Sequence, residues 1–335
     1  MANQFYKRFA AEGKGMLLLA IVFAAIVRIL FYLSHIDDAV TFATEEKGCL
    51  WNATSFLFTN PFVSILSNSI CVGIVAALLS QANTKHLFIR LPSVLPSVFV
   101  ILLFSCHPSF LIMRAEYIGL IFITLALNQT FNTYQSFRKA LSAFNVYIFI
   151  VLGSLFVPEL LLYIPIAWIG LIIVQSFNMK AFLASFLTLV FIYFPLFSYY
   201  FFTENVQTFY SLFTPLSQMW NGITVLNFNY IDYIVFAVSI LMFVIVSVHY
   251  FMNSYRDKIR IRIFFSYVVT LSVLSIILYI ATGTHISTMP LYVSLLGISL
   301  IIAHFFALNI SQSFRIYFII SLFGYIAATT YFFLK

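Results

Sequence analysis

Charge is what this chain has least of: Asp, Glu, Lys and Arg make up 8% of its 335 residues, while 63% are hydrophobic. A soluble fold of this length could bury a large core, but it could not hide that much apolar surface. A soluble domain is therefore excluded, and the chain reads as a multi-pass membrane protein. Its 3 cysteines have no metal-ligand spacing. Cys49 and Cys106 both map near one face of the membrane, but their spacing does not require a disulfide. With only 11 Gly and 9 Pro, nothing marks a linker, a low-complexity tail or a second domain. Several catalytic patterns are also missing. The chain contains no G-x-x-x-x-G-K-[ST], H-E-x-x-H or G-x-S-x-G, so ATP hydrolysis, zinc proteolysis and ordinary serine hydrolysis have no support. The 6 histidines are scattered, which argues against a membrane-buried multi-histidine iron site, and no metal or other cofactor is expected.

What the chain does have is long, continuous apolar runs. Helices satisfy their own backbone hydrogen bonds in lipid, and continuous rather than alternating apolar runs exclude a β-barrel. The runs predict an all-α, polytopic transmembrane helical bundle with about eleven spans. They fall at 16–33, 62–79, 91–106, 111–130, 143–156, 158–174, 181–202, 230–250, 263–280, 289–308 and 316–333. Placing the N-terminus in the cytoplasm leaves Lys47, Arg114 and Lys335 as the basic residues on the opposite side, with Arg28 inside the first span. Lys and Arg are retained on the cytoplasmic side during insertion, so this asymmetry sets the orientation. The acids played no part in drawing the map, yet all except Glu12 and Asp257 fall outside. The location expected is the bacterial cytoplasmic (inner) membrane.

Two stretches, 91–130 and 143–174, read as hairpins, turning near His107-Pro108 and at Val157-Pro158-Glu159. A single long helix over 143–174 would flip everything downstream and put Arg256, Lys258, Arg260 and Arg262 outside. Each hairpin has a short leg of about 14 to 16 residues, which would either thin the bilayer or lie against neighbours. The whole chain, 1–335, is one integral membrane domain with a cytoplasmic segment at 1–15 and outer loops at 35–60 and 203–229. Its first span reads as a retained signal anchor. The net charge of +7 reflects cytoplasmic loops beside anionic membrane lipid, and no nucleic-acid partner is expected.

The candidate site lies on the outer face. The loop HIDDAVTFATEEKGCLWNATSFLFTN carries Asp37 and Asp38 just after the first span. It reads either as a solvated loop or as the position of a carboxylate general base, and those two residues are the catalytic candidates. Arg28 lies about 8 Å below the outer end of its span. It either snorkels to the headgroups or points into the bundle, where a guanidinium could hold a phosphate or another anion. Arg114 is the second anion candidate. His107, Glu116 and Glu159 complete an outer polar cluster. Arg114 and Glu116, two positions apart, do not share a helical face, so each should pair with something else. Glu159, after Pro158, is placed to favour a helix dipole. The aromatic loop 203–229 reads as an interfacial half-helix or a saccharide-stacking platform.

Residues 62–202 resemble an uncharacterised multi-pass inner-membrane protein family of Bacteroidota. The likeness rests on NPFVSILSNSICVGIVAALL, KHLFIRLPSVLPSVFVILLF, AEYIGLIFITLAL, LGSLFVPELLLYIPIAWIGLII and NMKAFLASFLTLVFIYFPLF. These are patterns of hydropathy and proline placement, and the resemblance implies no activity. A weaker likeness is to the GT-C class of membrane glycosyltransferases, which carry an acid in the first outer loop where Asp37 and Asp38 stand. That likeness implies a polyprenyl-linked saccharide as partner, with Arg28 or Arg114 on its diphosphate. The first outer loop is too short for the large helical loop usual in that class. Three function classes therefore remain: an accessory or structural subunit of cell-envelope biogenesis with other membrane-protein subunits as partners, a GT-C-like glycosyltransferase or polymerase, and a transporter.

Overall fold

The computed structural model describes residues 14–35, 42, 47–87, 93–218, 240, 243–252, 257–282 and 288–308. Among them there is no strand; the fold is all-α. In chain order the helices are α1 (Lys14–Ser34), α2 (Cys49–Thr54), α3 (Pro61–His86), α4 (Leu95–Leu103), α5 (Ala115–Asn132), α6 (Lys139–Ser154) and α7 (Tyr163–Ile173). They continue with α8 (Met179–Phe202), α9 (Val206–Ser211), α10 (Thr214–Gln218), α11 (Phe243–Met252), α12 (Ile259–Thr282) and α13 (Met289–Leu308). Short 3-10 turns at Ser55–Phe58, Pro108–Phe110 and Pro158–Leu162 connect them.

Among the described residues, 5 helices are long and apolar enough to cross a membrane: α1, α3, α8, α12 and α13. The other expected spans are shorter as helices. α6 has 16 residues, α7 has 11 and α4 only 9. Most of the span expected at 230–250, and all of that at 316–333, lies outside the described residues.

The short legs lie against protein. Every residue of α4 is buried, and the helix packs on α13, α3 and α1. At 1.5 Å per residue it is only about 14 Å long, too short to cross a bilayer alone. α13, its main partner, is buried over 94% of its apolar window. Helices apolar on all sides belong in an interior, and these two form it. α8 is the opposite case, with only 22% of its window buried and Leu183, Phe186, Leu187, Val190, Phe191 and Phe194 exposed.

Small residues set the closest approaches. A Cβ on Gly297 of α13 would stand 1.9 Å from Ser272 Oγ of α12, and one on Gly170 of α7 would stand 2.3 Å from the Tyr267 ring. Helices that associate in lipid rely on this kind of backbone approach. Asn60, followed by Pro61, caps α3 by accepting from the Phe62 amide, and Asn178 caps α8 by accepting from the Ala181 amide. Hydropathy ends the second span at 79, but α3 continues to His86. The polar last turn is internal: Asn83 is buried and its amide donates to the Ser93 carbonyl at 2.8 Å.

The helix ends collect into two groups. One, the Lys47 end, joins the segment 47–50 to the start of α5, the turn after α6 and the approach to α13. The other, the Arg260 end, joins the end of α3, the start of α6, the end of α7 and the start of α12.

Candidate functional site

Irregular backbone inside an apolar bundle must find hydrogen-bond partners. Residues 104–114, between α4 and α5, are such a segment, and α3 supplies the partners. The Asn68 amide donates to the carbonyls of Phe110 and Ile112, both at 3.1 Å. Ser64, one helical turn earlier, accepts from the Met113 amide at 2.9 Å. The Asn68 carbonyl oxygen then accepts from Arg28 Nη2 at 3.2 Å. All the strong hydrogen-bonding capacity of this buried amide is therefore directed inward.

Arg28 points into the bundle and does not snorkel. Its Nη1 donates to Ser105 Oγ at 2.9 Å and to the Ala24 carbonyl at 3.3 Å, and the residue is only 6% exposed. Ser105 in turn donates to the Ile101 carbonyl. Tyr117 is next to this group and donates its hydroxyl to the Phe110 carbonyl. Its ring meets that of Tyr292 from α13 at 5.0 Å, edge to face. Tyr117 and Asn68 both donate to the Phe110 carbonyl, which ties the tyrosine pair to the Arg28 group; the site has a second half.

That second half is a charge triad. Segment 47–50 leaves the first loop and pairs with the turn after α6, Gly48 N–H donating to the Phe156 carbonyl and Leu50 N–H to that of Leu155. Only glycine fits at position 48, because a Cβ there would stand 2.2 Å from the Leu155 oxygen. Trp51, fully buried and stacked on Phe58, anchors the segment. This seating puts the Lys47 ammonium 3.7 Å from Glu116 and 3.6 Å from Glu159. Glu116 also accepts from the Thr288 hydroxyl at 2.8 Å. Both carboxylates are buried, and neither oxygen of Glu159 has a hydrogen-bond partner.

The expected residues therefore divide. Glu116 and Glu159 meet at Lys47, and Arg28 is held separately by Asn68 and Ser105. Glu159 stands, as expected, in the first turn after Pro158, in a 3-10 stretch (Pro158–Leu162) that runs directly into α7, and it also lies beside Lys47. Arg114 holds the N-cap position of α5 and Glu116 its first turn. His107 turns back on Ser109, as acceptor from its amide and as partner of its hydroxyl. Asp37 and Asp38 lie outside the described residues. Of the aromatic loop, Phe209 and Phe213 fold back on α8 beside Phe197 and Tyr193, while Trp220 lies outside the description. Nearby, Gly48, Ser154, Tyr193 and Phe213 line a cavity of about 10 Å³, room for a single water and far too small for a sugar.

The cysteines are free. Cys106 donates to the Leu102 carbonyl, and burial pushes the Cys49 thiol above its ordinary value. Sequence reasoning missed Ser64, Asn68, Lys47, Tyr117, Tyr292 and Thr288. Only the first two left a signal, as polar residues four apart on one face of an apolar helix. No family profile, curated protein or solved structure matches the chain.

Proposed function

We propose that this chain is a polytopic inner-membrane protein of about eleven spans, with a cytoplasmic N-terminus, acting as an accessory or structural subunit of cell-envelope biogenesis. One observation carries the reading: among the described residues, the outer polar side chains Arg28, Glu116 and Glu159 are turned onto partners within the chain. Arg28, the best candidate for a lipid diphosphate, gives both terminal amines to Ser105, Asn68 and a main-chain carbonyl. Glu116 and Glu159 share Lys47. The five long apolar helices support membrane insertion, and basic side chains such as Lys139 and Arg260 at one end support that end as the cytoplasmic one. The outward Phe-rich face of α8 suits lipid or a helix of another membrane subunit.

Affinity purification of the full chain in mild detergent tests the reading. Stable recovery of a second membrane protein is expected; recovery only as a lone monomer under several gentle conditions would contradict it. A glycosyltransferase of the GT-C kind would lose its glycan product on Asp37→Asn or Asp38→Asn. The subunit reading expects both variants to leave the glycan profile unchanged.

A further inference from the structure

The triad of Lys47, Glu116 and Glu159 has an unresolved charge. Written in their ordinary states, Lys47 faces two carboxylates at 3.7 and 3.6 Å, and each carboxylate holds its charge away from water. Such a charge is disfavoured unless it is paired and hydrogen-bonded. Glu116 meets that condition in part, through Thr288 and Lys47. Glu159 does not: it is 1% exposed, its oxygens have no hydrogen-bond partner, and its one cation is 3.6 Å away, beyond hydrogen-bond length. The charged groups acting on Glu159 are Lys47 from segment 47–50 and Glu116 from α5. Thr288, just before α13, and Tyr292 of α13 act on Glu116 rather than on Glu159. Arg28 neutralises nothing here, being held by Asn68 and Ser105 on the far side of the tyrosine pair.

We propose that this triad is a proton-binding site, in which Glu159 holds the proton while Lys47 pairs with Glu116. Two buried carboxyls that share a site do not both ionise readily, because each destabilises the charge of the other. One proton leaves a neutral acid beside a single ion pair. The proton sits on Glu159, because Glu116 already has the Thr288 hydroxyl and the Lys47 ammonium. Its ligand is thus the hydronium of the adjoining aqueous phase, and the site is independent of whether the chain has a protein partner.

Infrared spectroscopy of the full-length chain in mild detergent at neutral pH tests this directly. The wild type should show a protonated-carboxyl C=O band that is lost in Glu159→Gln and in Glu116→Gln and kept in Glu204→Gln, a change at an exposed acid. Lys47→Met should raise the band about twofold, because without the ammonium both buried carboxyls must be neutral. Gln mimics the protonated acid, so the Gln variants should also melt close to the wild type. Absence of the band in the wild type, needing no variant at all, would overturn the proposal. So would its survival in both Gln variants, or a folded Lys47→Met with an unchanged band.

Discussion

The two ends of the bundle solve the same problem differently. At the Arg260 end, the basic groups Arg260 and Lys139 meet aromatic rings and amides while keeping a route to water, and one carboxylate, Asp257, is buried facing His304 at 3.9 Å. Exposed Arg260 donates to His86 Nδ1 at 2.9 Å, and its guanidinium stands over Phe264 at 5.2 Å. The other ring nitrogen of His86 meets Asn128, and Lys139 donates to the Gln175 carbonyl. At the Lys47 end, the charges are inside. Arg28, Glu116 and Glu159 are all buried, Arg28 tied to Asn68, Ser105 and the Ala24 carbonyl and the two glutamates to Lys47. A charge that can reach water loses little when its partner is removed, whereas a buried one is left stranded. The two ends should therefore respond to substitution very differently.

The sharpest break is Asn68→Leu, which strands the Phe110 and Ile112 carbonyls and removes an acceptor from Arg28. A loss of about 3 to 5 kcal/mol is expected, read as a large fall in melting temperature in detergent. Next comes Gly297→Val, where new methyls meet Ser272 and force α12 from α13, at about 2 to 3 kcal/mol by the same assay. At the Arg260 end, Arg260→Gln removes one hydrogen bond and a cation–π contact at a site with water access. It should lower stability by only about 1 kcal/mol. Phe137→Ala, at a fully solvent-facing position, should change melting by less than about 0.5 kcal/mol. Equal losses for Asn68→Leu and Arg260→Gln would erase the contrast between the ends.

Much of this was legible in the sequence because hydropathy reports directly on helices. The segments 16–33, 181–202, 263–280 and 289–308 each lie within a helix of nearly the same bounds. Hydropathy reports poorly on which helices span and which fill the interior. The run at 91–106 reads like any other apolar span, yet only Leu95–Leu103 is helical and all of it is enclosed. Nor could it follow α3 past residue 79, because Asn83 and His86 are polar by type but satisfied internally. Arg28, Glu116 and Glu159 drew attention as rare charges in apolar surroundings. Their partners did not, since Asn68, Ser105 and Thr288 are ordinary polar residues whose roles depend on contacts far along the chain. Lys47 looked like one solvated lysine in an acidic loop, and only the pairing of Gly48 with Phe156 reveals where it goes.

The account rests on the Lys47 end and the Arg260 end facing opposite sides of a membrane, with the basic end in the cytoplasm. Membrane-impermeant thiol labelling of intact cells tests that most directly, using single cysteines in a background where Cys49, Cys71 and Cys106 are replaced. Phe56→Cys, near the Lys47 end, should label in intact cells, and Phe137→Cys, at the Arg260 end, only after permeabilisation. Labelling of both positions from the same side, or the reverse pattern, would contradict it.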